Sequence, residues 1–362
     1  MTPREDLPGL DLAALTRWLD DELPGARVGE LRAELVAGGR SNLTYRVDDD
    51  VSSWVLRRPP LGHVLATAHD MTREHRVLNA LTNTVVPVPT PIALCDTPEA
   101  SPLGAPFYLM ERVEGVVLRS ATDLEQVPRS ARHALGLRMI DVLADLHAVD
   151  PADVGLSDFG RPDGFLARQV RRWGAQLDGS RSRDLPGIDE LREGLAASVP
   201  ASRRSAVVHG DYRLDNLVVT PGSWQVAAVL DWEMSTLADP LADLGLLLAY
   251  TEGLADPANP VAQPVDESVG FPAPGEYVRR YADRGGLDEE DLAGLPWCTA
   301  LGFFKIAVIL EGIHYRYVRG QTVGAGFDRI GSLVPGLVER GRAALARTRH
   351  EAANHRRLPA GP

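Results

Sequence analysis

The sequence predicts an α+β protein in two lobes, a small antiparallel sheet with one helix followed by a larger, mostly helical part. Three observations predict it. The 362 residues exceed what one small core holds. Between residues 31 and 57, three short apolar runs are divided by Gly and Asp turns. Past residue 114 the apolar spacing becomes helical.

The elements follow in order. Leu12, Leu15, Trp18 and Leu19 recur at helical spacing, so residues 10–23 read as a helix within an N-terminal segment 1–30. Leu31 to Val36 leads into Gly38-Gly39, Leu43 to Val47 into Asp48-Asp49-Asp50, and Ser53 to Arg57 into Pro59-Pro60, the pattern of a meander. Asp70 is placed to cap a helix reaching Leu81, with Met71, Glu74, Val77, Leu78 and Leu81 in register. After the Pro-rich stretch 85–91, strands continue to Phe107–Val113. A boundary near Glu114-Gly115 gives a first lobe of 31–114 and a second of 115–345. The second opens on a helical pattern over 129–149, stopped by Pro151. Residues 255–275 read as a surface loop and 346–362 as a flexible tail.

Composition excludes several classes. A formal net charge of −12 argues against non-specific nucleic-acid binding, which needs a basic surface. The first fifteen residues place acids and prolines before any apolar run, so no secretory leader is expected. The most apolar segment, Ala300 to Leu310, is interrupted by Lys305 and is too short to span a bilayer. Cys95 and Cys298, far apart and without metal-ligand spacing, read as two reduced, buried thiols of a cytoplasmic protein.

The most informative run is 207–219. A short apolar strand delivers His209-Gly210-Asp211, and Asn216 precedes the next apolar strand. Pro221-Gly222 turns the chain back, and the following strand ends at Asp231-Trp232-Glu233. Such a hairpin is expected to gather Asp211, Asn216 and Asp231 at one end. Phosphoryl transfer uses that set, because its loose, charged transition state demands positioning and charge neutralisation. Asp211 suits the base that orients the attacking hydroxyl. Asn216 and Asp231 offer the hard oxygens that Mg²⁺ prefers. A polar turn between two buried strands is the plain alternative.

His209-Gly210-Asp211, Asn216 and then Asp231-Trp232-Glu233 resemble the aminoglycoside phosphotransferase family, distant relatives of protein kinases and choline kinases. The resemblance implies a protein-kinase-like two-lobe fold, ATP and Mg²⁺, with Asp211 as catalytic base and Asn216 and Asp231 as metal ligands. It also implies structural support from His209 and from Asp243, although Asp243 reads equally as a charge near a helix N-terminus. Few residues separate Asp231 from Asp239-Pro240, too few for a peptide-docking activation segment, so a small-molecule alcohol is the expected acceptor.

The first lobe should then hold the nucleotide. Gly38, Gly39, Ser41 and Asn42 lie between two strands, where donors can approach phosphates; a hairpin turn would read the same. Arg57 stands where kinases carry a phosphate-contacting Lys, with Glu74 as its partner, and Arg58 competes for that role. The backbone of Glu111 to Val113 resembles the segment that bonds adenine. Arg168, Arg171 and Arg172 beside Trp173 read as the wet face of a helix, with an anion site for the acceptor as the alternative. Phe303 to His314 resembles a branch that includes the kinase-like portion of some acyl-CoA dehydrogenases, whose acceptors are hydroxyacyl thioesters. A hydroxyacyl-CoA, an aminoglycoside and a macrolide therefore all stand as acceptors. A nucleotide-binding pseudokinase scaffold is the alternative to an enzyme.

Overall fold

Strand parity organises the first part of the chain. The computed structural model describes residues 7–36, 42–61, 70–253, 265–322 and 327–355. It divides into two units, Met1–Glu114 with Ala227–Glu233, and Gly115–Val226 with Met234–Pro362.

In the first unit, β1 (Arg32–Leu35), β2 (Leu43–Asp48), β3 (Ser53–Arg58), β4 (Pro91–Cys95) and β5 (Phe107–Glu111) form an antiparallel sheet ordered β1-β2-β3-β5-β4. Alternate residues face opposite sides of a strand. Tyr45 and Val47 of β2, Trp54 and Leu56 of β3 and Phe107 and Leu109 of β5 accordingly bury one face. That face is covered by α1 (Leu12–Glu22), whose Leu15 and Leu19 join the cluster and whose Trp18 meets Phe107 edge-on at 4.9 Å. Asp11 caps this helix through the Ala14 N–H at 2.9 Å. The N-terminal helix thus completes the core of the first unit, although the sequence alone sets residues 1–30 apart. The other face meets α2 (Met71–Leu81), capped by Asp70 as its spacing predicts.

The second unit begins with β6 (Val116–Val117) and α3 (Ala121–Glu125), and then α4 (Arg129–Ala148), α5 (Phe165–Ser180) and α6 (Ile188–Ala197). The motif region follows as β7 (Ala206–Val208), β8 (Leu217–Val219), β9 (Val226–Val229) and β10 (Thr236–Ala238). β7 pairs with β10 and β6 with β8, both antiparallel. The division between the units passes through β9. Among the described residues, the α-helices that follow are α7 (Leu241–Gly253), α8 (Pro274–Gly285), α9 (Leu295–Val318) and α10 (Ile330–His355). Helix thus continues into the stretch expected to fray from residue 346.

Helix α9 corrects one expectation. At 24 residues it is long and apolar enough to cross a bilayer by length and composition, although Lys305 divides its apolar sequence. It is the core helix of this unit, packed on α7 and α10 and largely buried. Its approach to α7 depends on missing side chains: a Cβ on Gly245 would stand 2.5 Å from the Cys298 carbonyl carbon. Cys95 and Cys298 are free and buried.

Candidate active site

In the first unit, register decides which arginine turns toward α2. Arg57 pairs with Tyr108 across β3 and β5, on the face opposite Leu56. Its Nε lies 3.4 Å from Glu74 Oε2 and its Nη2 3.0 Å from Asp231 Oδ1. Arg58 points the other way, its Nη1 donating to the Gly9 carbonyl. Glu74 is almost wholly buried, and it accepts hydrogen bonds from the Tyr108 hydroxyl at 2.8 Å and from Asn42 Nδ2 at 3.1 Å. Asn42 Nδ2 also donates to Glu233 Oε2 at 3.1 Å. Burial opposes the Arg57 charge, but Tyr108, Glu74 and Asp231 outweigh it and hold its pKa raised. Arg57 therefore stays cationic.

The remaining nucleotide-side expectations fare unevenly. Gly38, Gly39 and Ser41 lie outside the described residues. Glu111 ends β5 with its N–H donated to the Thr90 carbonyl at 2.8 Å, and Val113 follows half-buried. Asp231 adopts φ +67, a left-handed conformation that a non-Gly residue holds at a cost. Trp232 Nε1, donating to the Val229 carbonyl at 3.0 Å, fixes the turn beside it.

In the second unit, one buried carboxylate organises the motif loop. Asp243, in the first turn of α7, accepts the His209 N–H at 2.6 Å on one oxygen and the Gly210 N–H at 2.8 Å on the other. His147 Nε2 lies 3.4 Å from the same carboxylate, while its Nδ1 meets the Tyr281 hydroxyl at 2.7 Å. Burial alone would raise the Asp243 pKa. The His147 and His209 side chains and the Gly210 N–H outweigh burial and hold it below the ordinary carboxylate value. His209 is fully buried and its Nδ1 accepts the Asp211 N–H at 3.2 Å, so it shapes the loop from inside.

Asp211 is then held at both carboxylate oxygens. The Tyr250 hydroxyl donates to Oδ1 at 3.1 Å. Asn216 Nδ2 lies 3.3 Å from Oδ2 and donates to the Asp211 backbone carbonyl at 2.9 Å. Burial pushes the Tyr250 phenol up, so it remains a neutral donor. With its nitrogen engaged, Asn216 keeps its amide oxygen as a hard donor for a cation. Asp231 carries its carboxylate one-third exposed in the first unit. Among the described residues, no three His, Cys, Asp or Glu side chains group as a metal site. Amide and carboxylate oxygens are each the hard donor type that Mg²⁺ prefers.

Gly210 sits at φ +83, and a Cβ there would stand 2.6 Å from the Met234 carbonyl oxygen. Gly210→Ala is expected to lose about 1–3 kcal/mol from backbone conformation alone. A lowered urea midpoint checks this, and displacement of Asp211 should lower any transfer activity with it.

Several residues escape the sequence. Tyr108 is one of an apolar strand until register sets it opposite Arg57. Tyr250 lies 39 residues from Asp211. Lys305 left a visible signal, a lone charge in an apolar helix, and its Nζ donates to the Gly210 carbonyl at 2.8 Å.

The phosphotransferase enzyme family matches residues 32–289. A putative aminoglycoside phosphotransferase from Ralstonia eutropha JMP134 is 32% identical, with a TM-score of 0.77 over 93% of this chain and 98% of that one. A thermostable mutant of an aminoglycoside phosphotransferase, solved in a ternary complex with AMP-PNP and hygromycin B, is 14% identical, with a TM-score of 0.57 over 92% and 98% of the two chains. That likeness is one of fold. Among curated proteins, mouse (Mus musculus) acyl-CoA dehydrogenase family member 10 is 35% identical over 90% of this chain and 30% of its own length. The chain spans less than half the length of the curated relatives it matches. With the family matched over more than half its length and the Ralstonia protein covered almost whole, this chain belongs to the phosphotransferase enzyme family and has its kinase-like fold.

Proposed function

We propose that this protein transfers the γ-phosphoryl group of ATP to a hydroxyl of a small molecule. The observation that carries the proposal is Asp211, its two carboxylate oxygens held by Tyr250 and Asn216 on a loop anchored by Asp243. The acceptor hydroxyl loses its proton to Asp211 as its oxygen bonds to the γ-phosphorus, the bond to the β-phosphate bridging oxygen breaks, and ADP leaves. Arg57, kept charged by Glu74, contacts the α- and β-phosphates, and Asn42 steadies Glu74. The backbone from Glu111 to Val113 takes the adenine. Asn216 and Asp231 would hold Mg²⁺, which supplies charge neutralisation on the phosphates. The AMP-PNP complex of a fold relative supports nucleotide use.

A mass-spectrometric screen for a phosphorylated product, with ADP release followed in parallel, tests the proposal. Removing divalent cations with EDTA is expected to abolish transfer, and added Mg²⁺ to restore it. A nucleotide-binding scaffold is the second reading, favoured by the Arg57 contact that engages one oxygen of Asp231. It requires ATP binding without ADP release for every acceptor offered.

A further inference from the structure

Lys305 sets a charge into the core helix α9, between the buried Phe304 and Ile306. Its Nζ donates to the Gly210 carbonyl at 2.8 Å and lies 5.5 Å from the Trp173 ring centroid. Burial pulls its pKa down, while Asp211 and Asp243 act against that. Gly210 is thereby held at both ends by side chains of opposite charge, its N–H by Asp243 and its carbonyl by Lys305. That carbonyl belongs to the peptide joining Gly210 to Asp211, whose N–H is accepted by His209 Nδ1 at 3.2 Å. The peptide plane that carries Asp211 is therefore fixed at its oxygen and at its hydrogen.

An ammonium among apolar neighbours is costly, and a methionine of similar length would pack there without that cost. What the charge holds explains its place. Gly210, at φ +83, has no Cβ to restrict its backbone. A turn of the peptide after it would swing the Asp211 carboxylate off Tyr250 and Asn216. We infer that Lys305 is a positioning residue for phosphoryl transfer, locking the Gly210–Asp211 peptide so that the carboxylate meets the acceptor hydroxyl in one orientation. The inference rests on Asp211 being the base that receives the hydroxyl proton.

The full chain is given ATP and Mg²⁺ with an aminoglycoside, a macrolide and a hydroxyacyl-CoA in turn, and kinetics are followed on the fastest acceptor whose transfer Asp211→Asn abolishes. Urea midpoints, taken first, confine the comparison to folded protein. Lys305→Met should lower kcat about 10–100-fold while the ATP KM stays within about twofold, because a base held out of line slows the chemical step without touching nucleotide binding. Lys305→Arg restores charge and donor on a different stem, and its kcat should stand between those of Lys305→Met and the parent. A purely structural lysine would instead lower the urea midpoint and leave the kcat of the folded fraction at the parental value. Where Lys305→Met does not fold, Lys305→Arg decides alone: a lowered kcat at unchanged ATP KM supports the inference. Parental kcat in the folded variants, a change confined to the ATP KM, or an arginine variant no faster than the methionine one would overturn the inference and leave the phosphotransferase proposal standing. Absence of Asp211-dependent transfer to all three acceptors would overturn both.

Discussion

Asp211→Ala is expected to lower kcat by about 10²–10⁴-fold, the usual worth of a positioned base, while ATP affinity stays near that of the parent. The carboxylate is the group that Tyr250 and Asn216 hold at 3.1 and 3.3 Å, so both holders would remain in place around a missing acceptor. Asp211→Asn keeps the shape and removes the basicity, and should be nearly as slow. Single-turnover kinetics on a verified acceptor, with nucleotide affinity measured separately, decide the matter. Parental turnover in both variants would end the assignment of Asp211 as base.

The second large effect concerns stability. Removing Asp243 strands the His209 and Gly210 amides and takes the acid from His147, all of it buried or nearly so. Breaking a buried charge-assisted network at one partner typically loses about 3–5 kcal/mol. Asp243→Ala should therefore lower the urea midpoint with an unchanged slope, and turnover should fall because the Asp211 loop loses its anchor. The pH dependence has a definite sign. Asp243 is depressed in the folded state, so its contribution is fully present above the unfolded value of about 3.9 and disappears as pH falls through the lower folded value. The stability gap between parent and variant should be flat above about pH 5 and narrow below it. A gap that widened on acidification would show that Asp243 is not held as an anion.

Local chemistry was legible in the sequence. The spacing of Asp211 from Asn216 and the short strands on either side identify the motif loop without coordinates. The cap at Asp70 and the register of α2 are equally local, because a helix repeats every 3.6 residues and writes that period into the chain. Apolar alternation likewise exposed β2, β3 and β5. Helix α9 was less legible, since a fully buried helix lacks the polar face that betrays an amphipathic one.

What the sequence by itself determined is the order of the elements, the motif loop and the residue types that phosphoryl transfer needs. Strand register in the sequence favours Arg57 over Arg58, and the tertiary structure decided it, since the turn toward Glu74 follows from pairing across β3 and β5. The tertiary structure alone brought Asn42 to Glu233, 191 residues away, and Tyr250 to Asp211. It alone set Lys305 and Arg172 on one indole. Periodicity and spacing encode neighbours a few residues apart; contacts across a fold depend on how whole strands and helices pack, and no interval in the chain records that.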